Sequence, residues 1–76
     1  MQDRFVEDVV AVLPNLKRFA LSLCRKPDIA EDLVQITAER ALRARHQFDP
    51  TTRIETWLFR ILRNAWIDML RRDAKR

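Results

Sequence analysis

The 76-residue sequence contains no glycine and no tyrosine. Without glycine, backbone conformations with positive φ are disfavoured, so tight hairpin turns are not expected. Proline, aspartate and asparagine are instead available for the connections between helices, and β-branched residues are scattered rather than alternating. We therefore predict an all-α fold, a compact bundle of three to four helices in which residues 1–76 form a single domain.

Cysteine and histidine each occur once, as Cys24 and His46. This excludes an internal disulfide and a usual zinc site. There is no apolar run that could span a bilayer and no signal-peptide pattern, so we expect a cytoplasmic chain with no membrane contact. No catalytic triad, Cys/His pair or glycine-rich phosphate loop is present, so the sequence predicts no enzyme, no cofactor, no metal and no small-molecule substrate.

Charge is distributed unevenly along the chain. Residues 1–27 hold five basic and three acidic side chains, residues 28–52 hold three and five, and residues 53–76 hold seven and three. A basic C-terminal third favours a polyanionic partner such as nucleic acid, although a basic helix face is often only solvated. On charge alone, the two interpretations are equally supported.

Helix boundaries are indicated by proline and by capping residues. The first helix is predicted to start near Asp3, and Pro14 either opens a second helix or kinks one long helix. Asp28 is predicted to cap the central helix, which should end near residue 45 or 46. Thr52 and Glu55 form a second predicted capping box, and this opens a last helix that runs to about residue 72.

The central helix is predicted to be amphipathic, with polar residues and Ile36 on its exposed face. An apolar side chain among acids and amides is uncommon on a solvated face, which makes this face a candidate docking surface. Its predicted buried face carries Ala30, Leu33, Val34, Thr37, Ala38, Ala41 and Leu42. The predicted buried stripe of the last helix consists of Ile54, Trp57, Leu58, Ile61, Leu62, Ala65 and Met69.

Three stretches resemble region 2 of bacterial extracytoplasmic-function (ECF) sigma factors. They are DIAEDLVQ at residues 28–35, TWLFRILRN at residues 56–64 and DMLRR at residues 68–72, with Phe48 between the first two. The stretches follow the family's order and separation, and the resemblance covers residues 13–72. It implies a sigma region 2 type of helical bundle, with a core-binding helix at about 28–46 and a promoter-reading loop and helix at about 47–72.

The resemblance implies that the central helix docks on RNA polymerase core, at the clamp-helix coiled coil of the β′ subunit. Asp32 and Gln35 match the family's core-binding motif, and carboxylates with an amide around an apolar anchor suit the arginines of that coiled coil. Without the resemblance, a plain solvated face would be the favoured interpretation. The full set of expected core-binding residues is Glu31, Asp32, Gln35, Ile36, Glu39 and Arg40.

The resemblance also implies that the loop and the last helix recognise the minus-ten promoter element, chiefly as single-stranded non-template DNA. Asn64 matches a base-contacting asparagine, and Phe48 and Ile61 match positions that line the base pocket. For Phe48, a role in capping the core is an equally supported alternative. Arginines are expected to hold phosphates. Trp57, Phe59 and Trp66 are expected to pack in the fold. The expected DNA-binding residues are Phe48, Asp49, Thr52, Arg53, Arg60, Ile61, Arg63, Asn64, Arg71 and Arg72.

Three hypotheses about function follow. The first is a transcription-initiation module that binds polymerase core and promoter DNA. The second is a protein-interaction module, bound by an anti-sigma factor or acting as a sigma-like adaptor without DNA recognition. The third, which we favour least, is a generic helix–turn–helix regulator of duplex DNA. A complete ECF sigma factor also has region 4, which is absent here, so we expect a fragment of a larger chain or, less favoured, a stand-alone remnant.

Overall fold

Residues 3–74 are described by the computed structural model, and they form three helices around one core. The helices are α1 (Arg4–Cys24), α2 (Pro27–Arg43) and α3 (Ile54–Ala74), and a single 3₁₀ turn (Arg45–Gln47) follows α2. Each helix packs against the other two, within overall dimensions of 44 × 22 × 21 Å. The all-α prediction is confirmed. In this part of the chain, no helix combines the length and apolar character that a membrane span requires.

Helix α1 is continuous, which resolves the two alternatives for Pro14 in favour of one long helix. The helix starts near Asp3 as predicted, and Asp3 is its N-cap, because its carboxylate accepts hydrogen bonds from the backbone N–H groups of Phe5 (3.0 Å) and Val6 (3.4 Å). Pro14 has no N–H to donate to the carbonyl of Val10, but both residues are exposed. Water can therefore satisfy that carbonyl, which reduces the cost of an interior proline.

The junction between α1 and α2 differs from the prediction. Arg25 takes the left-handed conformation (φ 61°) that glycine would otherwise supply, and its N–H donates to the carbonyl of Leu21 at 2.9 Å. Lys26 is the N-cap of α2 and Pro27 is its first residue. The prediction that Asp28 is the cap is wrong, because Pro27 fits the first helical position and begins the helix earlier. Asp28 lies in the first turn, where its negative charge interacts favourably with the positive end of the helix dipole.

The segment between α2 and α3 also departs from its predicted bounds. Helix α2 ends at Arg43 rather than at residue 45 or 46, and α3 continues to Ala74. The first helical hydrogen bond of α3 runs from the N–H of Trp57 to the carbonyl of Arg53, at 3.2 Å. Arg53 thus occupies the position expected of Thr52, so the predicted Thr52–Glu55 capping box is wrong. The N–H of Thr52 donates instead to the carbonyl of Asp49 at 2.9 Å.

The core consists of residues from all three helices. Small side chains at Ala20, Ala30, Ala41 and Ala65 are buried, which allows the helix backbones to approach closely. Thr37 is fully buried, and its hydroxyl donates to the carbonyl of Leu33 at 2.7 Å, so this buried hydroxyl has a hydrogen-bond partner. The largest fully buried side chains are Leu16, Leu33, Leu58, Leu62 and Thr37.

The predicted apolar stripes are mostly confirmed. On α2, Ala30, Leu33, Thr37 and Ala41 are buried, whereas Val34 and Ala38 are half-buried at the edge. Leu42 is 43% exposed, so its assignment to the buried face is wrong. On α3, Leu58, Leu62 and Ala65 are buried, and the remaining members of the predicted stripe pack partly exposed against them.

Leu33 and Leu42 provide a matched pair for testing the rotation of α2. Leu33→Asp should abolish cooperative thermal unfolding, because it places an unpaired charge in a fully buried site. Leu42→Asp should leave the circular dichroism spectrum and the melting temperature near those of the wild type. An unchanged melting curve for Leu33→Asp would contradict the described orientation of α2.

Candidate docking and nucleic-acid surfaces

The side of α2 that faces away from the core is acidic and polar. Asp32, Gln35 and Glu39 are exposed there. Successive residues of a helix are rotated by about 100°, so Asp28, Asp32, Gln35 and Glu39 share one face. Within residues 3–74, neither Asp32 nor Glu39 takes part in a salt bridge. We call these four residues the acidic face of α2, and its carboxylates at positions 32 and 39 are available to a basic partner.

The other three residues expected to bind polymerase core have neighbours within the fold. Ile36 is half-buried and packs against the core, so it is less free to act as an apolar anchor than its position among polar residues suggested. Arg40 spans the seam between α2 and α3, with Nη1 3.2 Å from Asp68 Oδ2. Glu31 is exposed and lies 3.6 Å from Nζ of Lys17 on α1.

A groove that the sequence did not predict runs between α1 and α2, beside the acidic face. Its volume is about 500 Å³ and its walls are mainly apolar, with Lys17 and Glu31 at the rim. Val34 and Ala38, which the periodicity placed on the buried face of α2, are half-buried and line this groove. The sequence alone did not indicate that this part of the face is incompletely covered. The groove is lined by Leu13, Pro14, Lys17, Glu31, Val34, Gln35 and Ala38.

Most of the residues expected to bind DNA lie on the exposed surface of α3 and the loop before it. Asn64 is exposed, and the half-buried Ile61 lies on the same side of α3, about 60° away around the helix axis. Arg60 and Arg71 flank Asn64 on that side, whereas Arg63 is rotated from it by about 100°. The structure therefore groups Asn64, Ile61, Arg60 and Arg71 on one side of α3, and it leaves Arg63 outside that group. The exposed arginines of this region are Arg53, Arg60, Arg63, Arg71 and Arg72.

The loop at residues 48–53 is organised by Asp49. Its Oδ1 accepts hydrogen bonds from the backbone N–H of Thr51 (2.9 Å) and from the Thr51 hydroxyl (2.7 Å). The backbone hydrogen bond is the main cause that lowers the pKa of the Asp49 carboxyl. Because this carboxylate is engaged within the loop, its evident role is to shape the turn. Thr52 is half-buried and Arg53 is exposed.

Phe48 lies in an aromatic cluster at one end of the bundle. Its ring centroid is 5.0 Å from that of Trp57 and 6.1 Å from that of Phe5, and Phe5 and Trp57 are 5.9 Å apart. The half-buried position of Phe48 favours the packing alternative for this residue. Phe59 packs against Phe19 at 5.0 Å, and Trp66 packs against the core. The packing roles expected of Trp57, Phe59 and Trp66 are therefore confirmed.

A three-helix bundle with an acidic face on one helix and a basic face on another defines a helical interaction domain. Residues 9–76 match the Sigma-70 region 2 family. The chain belongs to this family.

Two curated relatives illustrate the similarity. The chain is 44% identical over 66 residues to the ECF RNA polymerase sigma factor EcfG of Rhodopseudomonas palustris (strain TIE-1), an alignment that covers 87% of this chain and 36% of the relative. It is 41% identical over 61 residues to the ECF RNA polymerase sigma factor SigM of Bacillus subtilis (strain 168), which covers 80% and 37%. The chain thus spans little more than a third of the length of these relatives.

A solved structure has the same fold. The sigma factor RpoE of Bartonella quintana, in its co-crystal structure with the anti-sigma factor NepR, superposes with a TM-score of 0.85 and 39% sequence identity. The similar region covers 91% of this chain and 43% of that one.

We expect the Arg40–Asp68 ion pair to make a modest contribution to the free energy of unfolding. Arg40→Met and Asp68→Asn should each destabilise the domain, and the double variant should cost less than the sum. Both side chains are more than 40% exposed, so the coupling in a double-mutant cycle should not exceed about 1 kcal/mol. Additive effects in urea unfolding would show that the two side chains do not interact in solution.

Proposed function

We propose that this chain is the region 2 domain of an ECF sigma factor, acting in transcription initiation in the cytoplasm. The acidic face of α2 docks on the β′ clamp helices of RNA polymerase core. The 48–53 loop and the side of α3 that carries Arg60, Asn64 and Arg71 bind the minus-ten promoter element as unpaired non-template strand and help to melt it. We assign the whole of residues 1–76 to this one domain, which contributes binding surfaces and no catalytic groups.

The observation that carries the proposal is the separation of two oppositely charged faces on one rigid core. Asp32 and Glu39 are exposed on α2, whereas Arg60, Arg63, Arg71 and Arg72 are exposed on α3. Carboxylates on a helix face attract arginines of a partner helix, and would repel DNA phosphates. Arginines on the other helix attract phosphates. A polymerase and a promoter strand can therefore be bound at the same time without competition.

Promoter recognition on α3 is proposed to combine two kinds of contact. Phosphate contacts by the arginines hold the strand without selecting its sequence. Asn64 selects a base, because its amide both donates and accepts hydrogen bonds at a base edge. An unpaired base must leave the stack to reach Asn64, which explains why recognition and strand separation are coupled in this proposal.

A second candidate function is a protein-interaction module without DNA recognition. It is supported by the open groove between α1 and α2, and by the presence of an anti-sigma factor in the similar solved structure. In this alternative, an anti-sigma factor or another protein covers α2. The chain would then bind its protein partner tightly, as in the first proposal, but it would show no selective binding of single-stranded DNA.

The docking proposal predicts a charge-dependent loss of polymerase binding. Asp32→Arg should weaken binding to polymerase core, or to a β′ clamp-helix fragment, by at least about tenfold, because it brings like charges together. Gln35→Ala should weaken it less. Asp8→Arg is the matched control, since Asp8 is an exposed carboxylate on α1. Wild-type affinity of Asp32→Arg, with its helical content intact, would contradict the docking assignment.

The DNA proposal predicts separate effects for Asn64 and Arg60. The probe is an oligonucleotide that the wild-type chain selects from a random single-stranded pool. Asn64→Ala should cost about 1–3 kcal/mol against this probe and nothing against a scrambled one. Arg60→Gln should weaken both equally and should reduce the salt dependence by about 0.7 in log–log slope. Both variants should keep polymerase binding, and equal affinities of Asn64→Ala and wild type for the selected probe would exclude Asn64 as the selecting residue.

A further inference from the structure

Asp3 and Arg45 form an ion pair that joins the beginning of α1 to the 3₁₀ turn before the loop. Arg45 Nη1 lies 2.6 Å from Asp3 Oδ2, and Arg45 Nη2 lies 2.7 Å from Asp3 Oδ1. This two-point contact between planar groups fixes the orientation of the guanidinium as well as its distance. These hydrogen bonds, donated by Arg45 and accepted by Asp3, lower the pKa of Asp3 and raise the pKa of Arg45, because they favour the charged form of each group.

The pair is continuous with the aromatic cluster. The Arg45 guanidinium lies over the ring of Phe5, with its Cζ 4.9 Å from the ring centroid, and Phe5 contacts both Phe48 and Trp57. The carbonyl of Arg45 also accepts a hydrogen bond from the N–H of Phe48 at 3.2 Å. Four segments of the chain therefore meet at this point: the start of α1, the 3₁₀ turn, the start of the loop and the first turn of α3.

The loop itself has few other anchors. The hydrogen bonds of Thr51 and Thr52 go to Asp49, within the loop, and the carbonyl of Arg53 belongs to the first turn of α3. These bonds fix the shape of the loop, but they do not fix its position relative to α1 and α2. At its end the loop joins α3, where Ile54 packs against the core and Glu55 accepts a hydrogen bond from Asn15 of α1 at 3.5 Å. At its beginning, its position depends on Phe48 and on the groups that hold Phe48 in place.

Global stability is a poor explanation for the pair. Both side chains are more than 40% exposed, and ion pairs in contact with water contribute little to folding. The pair acts locally instead, since it holds Arg45 in the 3₁₀ turn that leads directly into the loop.

We propose that Asp3 and Arg45 are positioning residues for promoter recognition, which set the 48–53 loop relative to α3 through Phe5 and Phe48. This inference rests on the proposed function of the loop and α3, and it adds residues that do not contact DNA. Asp3, on the first described turn of the chain, thereby controls a site more than 40 residues away in sequence.

The charge of Asp3 makes a decisive test possible. Asp3→Asn removes the ion pair but keeps the helix cap, because asparagine caps helices as well as aspartate does. Removing a negative charge should strengthen binding to DNA if electrostatics alone operates. If Asp3 positions the loop, its replacement should instead weaken binding to DNA. We expect Asp3→Asn to bind the selected single-stranded oligonucleotide roughly 3- to 30-fold more weakly than wild type, with no loss of affinity for the scrambled one.

Arg45→Gln and the double variant Asp3→Asn/Arg45→Gln complete the test. The double variant should be no weaker than the worse single variant, because both break the same contact. Lys17→Gln is the matched control, as it breaks another exposed ion pair, with Glu31. Faster amide exchange at Thr51 and Thr52 in Asp3→Asn, with unchanged polymerase binding, would support positioning.

Two failures are distinguishable. Tighter or unchanged binding of the selected oligonucleotide by Asp3→Asn would overturn the positioning role alone. Failure of the wild-type chain to select any single-stranded sequence would overturn the proposed promoter recognition, and the positioning role with it.

Discussion

Burial of four leucines in one shared core is the constraint on which the rest of the molecule depends. Leu16 of α1, Leu33 of α2, and Leu58 and Leu62 of α3 are fully buried. Each fixes the rotation of its helix, because turning the helix would move its leucine out of the core. The outward faces of α2 and α3 are thereby set as well. The same rotation exposes acidic side chains on α2 and basic side chains on α3, so folding and the placement of both candidate binding surfaces have a common physical cause.

Contacts at the rims of this core connect the surfaces to one another. Arg40 and Asp68 join α2 to α3, and Asp3, Arg45 and Phe5 join α1 to the 3₁₀ turn and the loop. The charged side chains among them are partly exposed, so their ion pairs contribute little to the free energy of unfolding. A short helical domain with no glycine can in this way hold a six-residue loop in place.

The sequence was sufficient for the helices and their buried stripes, because a 3.6-residue period survives in a single sequence. It was insufficient at the helix ends. Lys26 and Arg53 take the cap positions predicted for Asp28 and Thr52, since the geometry of Pro27 and the loop hydrogen bonds decide which residue begins a helix. Leu42 follows the period but is exposed, which periodicity alone cannot reveal.

The long-range contacts could not be predicted at all. The pairs Asp3–Arg45 and Arg40–Asp68 join residues that are distant in sequence, and no spacing rule relates them. For the candidate surfaces, the sequence identified residues that are mostly exposed, including Asp32, Gln35 and Asn64. It did not show that Asp49 is engaged within its loop, or that Phe48 and Arg40 have partners inside the fold.

The central claim is that one core presents two separate binding surfaces. The most direct measurement is a pair of nuclear magnetic resonance titrations of the isotopically labelled chain, one with a β′ clamp-helix fragment and one with the selected single-stranded oligonucleotide. We predict that the fragment shifts resonances of Asp32, Gln35 and Glu39, that the oligonucleotide shifts those of Asn64 and the loop, and that each set persists when both ligands are present. Overlapping sets of shifts, or displacement of one ligand by the other, would contradict the claim.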